Sequence, residues 1–219
     1  MQLDNIRDNH VMLIGKIIEP PAFVCEHDGS KYYDGLVRYD RQSGVNFDRI
    51  PITADRLTAR VFQETYEIDR PDDTIVMIEG RIVSRTRELR METAVEYPMA
   101  VKVEGFTFIV GPDTKPTNNV EIRGYVCENP IFRATLSGRQ ICELTISVPK
   151  GAHDGAQNYI KCIAWDGAAR FASKLYIGAF VEGRGRFQSR MYTKRLDDGR
   201  TVQRYAYEVS LYTIADGRM

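Results

Sequence analysis

The sequence is poor in the residues that usually build metal centres and active sites. It has four cysteines and three histidines in 219 residues. The histidines have no metal-ligand spacing, no G-x-x-x-x-G-K-[ST] phosphate loop is present, and the cysteines form no C-x-x-C pair. We therefore predict no metal ion, no cofactor and no enzymatic activity. The thiols are predicted to be small buried side chains: Cys25, Cys127, Cys142 and Cys162.

Long apolar runs are also missing. No uninterrupted apolar segment approaches the roughly 20 residues that a membrane-spanning helix needs. The first ten residues, M-Q-L-D-N-I-R-D-N-H, carry acids and lack the apolar centre of a secretory signal. We therefore expect a cytoplasmic protein.

The chain as a whole lacks a net charge, but its two halves do not. The 30 Lys and Arg residues equal the 30 Asp and Glu residues in number. Residues 1–116 hold 15 basic against 20 acidic residues, whereas residues 117–219 hold 15 against 10. A basic surface that could attract nucleic acid is therefore predicted for the second half only.

Two segments of the second half place rings and cations on one face. Period-two alternation predicts strands over 159–165 and 183–192. Flat rings beside cations are typical of surfaces for single-stranded nucleic acid, because the rings stack on bases and the cations follow phosphates. Taken singly, each segment also fits a half-buried strand with solvated arginines. The outward residues are Tyr159, Lys161, Ile163 and Trp165 on the first strand, and Arg184, Arg186, Gln188, Arg190 and Tyr192 on the second.

An internal repeat indicates two copies of one fold. Residues 9–23 resemble residues 118–132 at an offset of 109, with coincident Val, Gly, Glu, Pro and Phe. G-R-I-V-S-R at 80–85 likewise resembles G-R-F-Q-S-R at 185–190. The segment between the copies is polar and rich in proline, as linkers are. We divide the chain into a domain at 1–112, a linker at 113–118 and a domain at 119–219.

Each copy has the element order of an OB-fold, a five-stranded Greek-key barrel with a short helix between its third and fourth strands. Gly15 and Gly124 stand in mid-strand, where glycine marks a bend at a barrel corner. We therefore predict an all-β protein with two tandem OB-folds. In the first copy the predicted strands are 10–18, 30–39, 49–53, 74–85 and 95–109, with a helix at 56–65. In the second they are 120–127, 139–148, 158–165, 179–192 and 201–213, with a helix at 167–175.

The second half resembles the bacterial single-stranded-DNA-binding protein family. Its matching stretches are N-x-V-x-I-x-G (118–124), P-I-F-R-x-T-x-S-G (130–138), Y-I-K-C-I-A-W (159–165), V-E-G-R-G-R-F-Q-S-R-x-Y (181–192) and A-Y-E-V-S (206–210). The whole chain is similar to the tandem version of some Firmicutes, whose first half includes R-x-S-G-x-x-x-D-x-I-P-I (41–52 here). The resemblance implies sequence-independent binding and protection of single-stranded DNA in replication, recombination or repair, at the nucleoid.

The resemblance also assigns the site. It places three base-stacking rings on Tyr159, Trp165 and Tyr192, and we predict that cations complete the DNA site: Lys161, Arg184, Arg186, Arg190, Arg139 and Lys194. A fourth family ring would fall near Ala152 or His153, where no ring is present. In the first half the ring positions fall on Arg49, Asp55 and Arg87. We therefore predict a structural and assembly role for this half, with minor phosphate contacts at most from Arg81, Arg85 and Arg87.

The resemblance further implies four OB-folds per assembly, which a two-domain chain reaches as a homodimer. The family's acidic tail, which recruits replication proteins, has no match in the closing A-D-G-R-M. Two alternatives stay open at this point. One is a replication-restart or primosome accessory protein that acts mainly through protein contacts. The other is an RNA-binding OB protein, because stacking and phosphate contacts do not separate RNA from DNA.

Overall fold

A computed structural model of the chain describes residues 8–27, 29–42, 44–68, 75–86, 90, 97–109, 114–150, 155–196 and 198–218, without the side chains of 67–68 and 108–109. The first half contains β1 (Asn9–His27), β2 (Ser30–Asp40), β3 (Phe47–Ala54), α1 (Arg56–Ile68), β4 (Ile75–Ser84) and β5 (Met99–Ile109). The second half contains β6 (Thr117–Val126), β7 (Ile131–Ala134), β8 (Gln140–Pro149), β9 (Gln157–Trp165), α2 (Asp166–Ala172), β10 (Phe180–Arg195) and β11 (Thr201–Asp216).

The strands form two closed barrels that share one continuous sheet. The first barrel has the order β2-β3-β5-β4-β1, and a β1–β2 pairing closes it. The second has the order β6-β10-β11-β9-β8, closed by β6–β8, with β7 added at the edge of β8. The inward-facing residues of the barrel strands fill the barrels with apolar side chains, among them Ile78, Ile82, Ile146, Ile160 and Phe187. This architecture confirms the predicted all-β fold of two tandem OB barrels with a helix between the third and fourth strands of each.

The main differences from the predicted elements are a longer first strand, an additional strand and a shorter second helix. The first strand was expected to end at residue 18, before two prolines, but β1 continues to His27 along β2. It does so through three register irregularities, and such bulges accommodate prolines that cannot donate to the ladder. The short strand β7 was not predicted, because all four of its residues are exposed and it has no alternating pattern. The second helix ends at Ala172 rather than at residue 175.

Gly15 and Gly124 occupy equivalent corners of the two barrels. A Cβ atom on Gly15 would collide with the backbone oxygen of Arg38, and one on Gly124 would collide with that of Ser147. Only glycine lets the neighbouring strands approach this closely. The prediction of barrel-corner glycines is therefore confirmed.

The two barrels are joined along β1 and β6. These strands pair antiparallel from Asn9 opposite Ile122 to Ile14 opposite Thr117. β6 begins at Thr117, inside the stretch 113–118 that we assigned to the linker. The sheet therefore runs without interruption from one half into the other.

Two equivalent clasps also connect the halves. The N–H of Ser84 donates to Oδ1 of Asn158 at 2.9 Å, and its Oγ accepts the N–H of Tyr159 at 2.9 Å. On the other side, the N–H of Ser189 donates to Oδ1 of Asp48 at 2.9 Å, and its Oγ accepts a backbone N–H at 2.9 Å. The halves are therefore related by an approximate twofold axis. In each half, one serine forms hydrogen bonds with a strand on the outer face of the other half.

Candidate nucleic-acid interface

The predicted rings lie on the outer face of the second barrel, on two strands that flank β11. Tyr159 and Trp165 stand at opposite ends of β9, six residues apart, which corresponds to about 20 Å of strand. Tyr192 lies on β10 at the Tyr159 end. The side chains of Tyr159 and Tyr192 are 56% and 37% exposed, so both rings are available to a ligand.

The tyrosine groove, a depression of about 430 Å³ at one end of this face, contains Tyr159, Lys161 and Tyr192. Both halves of the chain form it. Lys150 and Tyr205 from the second half line it, together with a first-half wall made of Ser84, Arg85, Thr86, Arg90, Pro98 and Met99. The Ser84 clasp fixes the backbone at Tyr159. The first half is therefore a structural wall of the predicted site.

The tryptophan groove, of about 540 Å³, lies at the other end and contains Trp165 with Arg139, Arg186, Arg190, Tyr212 and Arg41. The indole Nε1 of Trp165 donates to Oγ of Ser210 at 3.0 Å. The guanidinium carbon of Arg139 lies 4.6 Å from the indole centroid, and Arg139 also binds Asp166 at 2.8 Å. This bond holds the pKa of the Asp166 carboxyl below its usual range. The ring is therefore oriented before any ligand arrives, and Arg139 covers one of its faces.

The remaining predicted cations have different surroundings. Arg190 is mostly exposed and lies 3.9 Å from the carboxylate of Glu208. Lys194 is exposed on the β10–β11 hairpin. Arg184 lies between two carboxylates, 3.4 Å from Glu121 and 3.7 Å from Glu182. Because these carboxylates offset its charge, we expect Arg184 to contribute less to anion binding than Arg190.

Sequence reasoning missed three residues that line the grooves: Arg41, Lys150 and Tyr212. Arg41 comes from the first half, and only the packing of the halves brings it to the tryptophan groove. Lys150 follows β8 and is in the corresponding position of the second half. Tyr212 lies in a strand that we predicted, but it stands at an irregularity in the ladder. The R-x-S-G segment at 41–44 was the one sequence signal that could have pointed to Arg41.

The corresponding face of the first half carries no stacking ring at the predicted positions that are described. Arg49 is in the position of Tyr159 and lies 3.1 Å from Glu19, and Asp55 is in the position of Trp165 and caps α1 by accepting the N–H of Thr58 at 2.8 Å. A groove of about 550 Å³ nevertheless exists there, with the basic side chains Lys31, Arg81, Lys102 and Lys150. Arg87, Ala152 and His153 lie outside the described residues.

Arg85 requires a correction. We predicted it as a minor phosphate contact, but its side chain is 3% exposed and that of Asp34 is 5% exposed. The two form a bidentate ion pair with N–O distances of 2.7 and 2.6 Å. A guanidinium held this way cannot reach a phosphate without breaking the pair, so Arg85 is a structural residue.

The cysteines show no sign of metal or disulfide chemistry in the described part of the chain. All four are free thiols; Cys142 and Cys162 are buried as predicted, whereas Cys25 and Cys127 are only partly buried, so the prediction was wrong for these two. Burial is the main cause of a raised pKa at Cys127, Cys142 and Cys162, which disfavours the reactive thiolate. No cluster of three or more His, Cys, Asp or Glu side chains that could bind a metal occurs among the described residues. None of the helices described is both long and apolar enough to cross a membrane.

Comparison with known proteins relates the second half to one protein family. Residues 117–215 match the model of the single-strand binding protein family. The second half of the chain is therefore similar to that family along almost its whole length. The matched segment contains the three predicted rings and the second-half residues that line both grooves. None of the curated proteins compared with the chain matches it significantly.

Solved structures extend the likeness of the fold to the whole chain. The wild-type single-stranded DNA binding protein from Thermus aquaticus superposes with a TM-score of 0.65 at 18% identity, over 95% of this chain and 92% of that one. An internal-deletion mutant of the same protein gives a TM-score of 0.63 at 18% identity, over 95% and 93%. At this identity the likeness establishes the fold alone. It therefore shows that a known single chain also carries two such barrels.

Proposed function

We propose that this protein binds single-stranded DNA without sequence preference, on the ring-bearing face of its second barrel. The observation that carries the proposal is the placement of Tyr159, Trp165 and Tyr192 on one outer face, in two grooves that also contain basic side chains. Bases stack on such rings whatever their identity, because every base has a π-face. The cations Lys161, Arg186, Arg190 and Arg139 support the proposal as partners for the phosphates.

The division of labour between the halves is part of the proposal. The domain at 1–112 supports the DNA site structurally, through the β1–β6 pairing and the Ser84 clasp. The domain at 119–219 supplies the rings and most of the cations. The match of the second half to the single-strand binding protein family favours single-stranded DNA over RNA. The resemblance supports a role in replication, recombination or repair, in the cytoplasm at the nucleoid.

A titration with three nucleic acids tests this function. We expect full-length protein to bind oligo-dT much more tightly than duplex, because duplex bases are not free to stack. The affinity for oligo-dT should fall as salt rises, since each phosphate contact on a single strand contributes about 0.7 to the slope of log K against log salt. Poly-U serves as the RNA comparison. Equal affinity for duplex and oligo-dT, or a clear preference for poly-U, would overturn the proposal.

We further propose that the protein is a homodimer, which brings four OB barrels into one assembly. Closed twofold symmetry is the commonest arrangement of homo-oligomers. Light scattering should give about 50 kDa, twice the 25.0 kDa of the chain. A 25 kDa particle at micromolar concentration would refute the dimer and would leave the DNA-binding proposal intact.

A further inference from the structure

We propose that Tyr212 forms an additional nucleotide subsite, at which one more base of the bound strand stacks beyond Trp165. The subsite lies where the two halves of the chain meet, and both halves contribute to it. It rests on the proposed function, because the ligand is the same single strand. Tyr212 belongs neither to the alternating residues that predicted the site nor to the rings implied by the resemblance.

The backbone aims Tyr212 outward. In the β10–β11 ladder Arg184 pairs with Thr213 and Gly185 pairs with Leu211, so Tyr212 is the extra residue of a β-bulge. Bulges redirect one side chain out of the regular pleat. The Tyr212 ring is 55% exposed, and it shares the tryptophan groove with Trp165.

Trp165 and Tyr212 are neighbours in this groove, and each ring has its own stacking surface. Ser210, which accepts the hydrogen bond from the Trp165 indole, stands two residues before Tyr212 on β11. Two residues of strand correspond to about 7 Å. Tyr212 therefore lies one strand repeat along β11 from the residue that fixes the indole, and its exposed ring can receive a base of its own.

The first half has an equivalent bulge, but a glutamate stands there instead of an aromatic ring. There Glu79 pairs with Gly105 and Gly80 pairs with Val103, so Glu104 is the extra residue. Its carboxylate lies 3.2 Å from Nε of Arg81 and offsets the charge of that guanidinium. A glutamate at the bulge therefore makes this corner of the first barrel less attractive to an anion.

In the second half a tyrosine replaces that carboxylate. Arg186 occupies the position of Arg81, and its guanidinium carbon lies 5.7 Å from the Tyr212 ring centroid. One guanidinium N–H donates to the Tyr212 hydroxyl at 3.2 Å, and another donates to the amide oxygen of Gln188 at 3.0 Å. Among the described residues Arg186 forms no ion pair with a carboxylate. Its full charge is therefore available to a phosphate beside the ring.

Beyond Tyr212 the groove continues into a cleft of about 680 Å³ between the halves. The cleft shares Arg41, Arg186 and Tyr212 with the tryptophan groove, so the two depressions are continuous. Lys115 also lines it and is exposed, and the described residues give it no carboxylate partner. None of the side chains that line the cleft in the described part of the chain is acidic. Arg41 is paired with Asp48 at 2.6 Å, so Arg186 and Lys115 are the cations of the cleft with no carboxylate partner among the described residues. An exposed ring beside these two cations suits a nucleotide unit of a polyanion.

Substitution of Tyr212 tests the stacking contact. In full-length protein, Tyr212→Leu should weaken binding of a 30-nucleotide oligo-dT by about tenfold to a hundredfold, because stacking contributes about 1–3 kcal/mol per base. Tyr212→Phe keeps the ring and loses only the hydroxyl, so its affinity should stay within about twofold of wild type. Tyr176→Leu is the matched control, since Tyr176 is a 63% exposed tyrosine after α2 that lines none of the grooves named above. This control should bind like wild type.

The salt dependence of oligo-dT binding tests whether the strand extends into the cleft. Lys115→Ala should lower the salt slope for oligo-dT by about 0.7, whereas Lys174→Ala, at an exposed lysine after α2, should leave the slope unchanged. Wild-type affinity in Tyr212→Leu, or equal weakening in Tyr212→Phe and Tyr212→Leu, would overturn the stacking subsite. An unchanged slope in Lys115→Ala would overturn the extension into the cleft. If either of these results is obtained while Trp165 emission still responds to oligo-dT, the subsite proposal fails but the proposed function stands. If the wild-type protein does not bind oligo-dT, both proposals fail.

Discussion

Trp165→Ala should weaken the binding of oligo-dT by about tenfold to a hundredfold, without unfolding the protein. The indole contributes a stacking platform worth about 1–3 kcal/mol per base. It is also held in place before binding, by the bond from its Nε1 to Ser210 and by Arg139 over its face. A fixed ring loses little conformational freedom when a base arrives, so its removal should affect affinity directly. The affinity is measured by fluorescence anisotropy of labelled oligo-dT at constant salt.

Other ring variants indicate whether the loss is specific to the face. Tyr159→Ala and Tyr192→Ala should weaken binding in the same direction, because both rings lie in the tyrosine groove. Tyr176→Ala, which removes an exposed ring elsewhere, should have no effect. If all four variants bind like wild type, the bases do not stack on this face.

Arg85→Ala should lower the free energy of unfolding by about 3–5 kcal/mol, the range observed when one partner of a buried ion pair is removed. The reason is the Asp34 carboxylate, which would remain buried without its bidentate partner. Chemical denaturation followed by circular dichroism measures the change. The effect on oligo-dT binding should be limited to the fraction of folded protein.

Two controls separate the ion pair from other effects. Replacement of both partners, by Arg85→Met with Asp34→Leu, should recover most of the lost stability, because no buried charge is left unpaired. Arg60→Ala removes an exposed arginine from a helix-surface pair with Glu64 and should leave the denaturation midpoint almost unchanged. If Arg85→Ala keeps its stability and instead lowers the salt slope, Arg85 is a phosphate contact after all.

Alternation in the sequence predicted the outward rings, and the repeat and element order predicted the two barrels. Tyr159, Lys161 and Trp165 share the outer face of β9 because the strand is regular and Ile160, Cys162 and Ala164 point inward. Ile163, which was predicted on the same outer face, is only 6% exposed. Pairing with another strand was harder to anticipate. β1 continues through its prolines because β2 provides a ladder with bulges, and that ladder is a property of two strands together.

The same limit explains the errors at single residues. Alternation and the repeat give Arg85 and Arg190 equivalent positions, yet Arg85 meets Asp34 of β2 and is buried, whereas Arg190 remains exposed. Tyr212 was missed because a bulge is defined by the register between two strands. Arg41 reaches the tryptophan groove through the packing of the halves. Each of these features depends on which strands become neighbours, and the sequence of one strand does not contain that information.

The approximate twofold axis makes the differences between the halves informative. Both halves keep the corner glycines and the serine clasps, which build the barrels and join them. They differ at the positions of the rings and at the bulge, where the first half has Glu104. The features that the two halves share therefore build and join the barrels. The side chains that differ between the halves account for the proposed division of labour.

The emission of Trp165 during a titration of full-length wild-type protein with oligo-dT tests the central claim most directly. Trp165 is the only tryptophan of the chain, so the signal reports on this ring alone. Stacking of a base on the indole predicts substantial quenching that saturates with the same affinity as the anisotropy measurement. Unchanged emission at saturating oligo-dT would contradict the claim, because it would show that the strand binds without contact to the ring on which the proposed site is built.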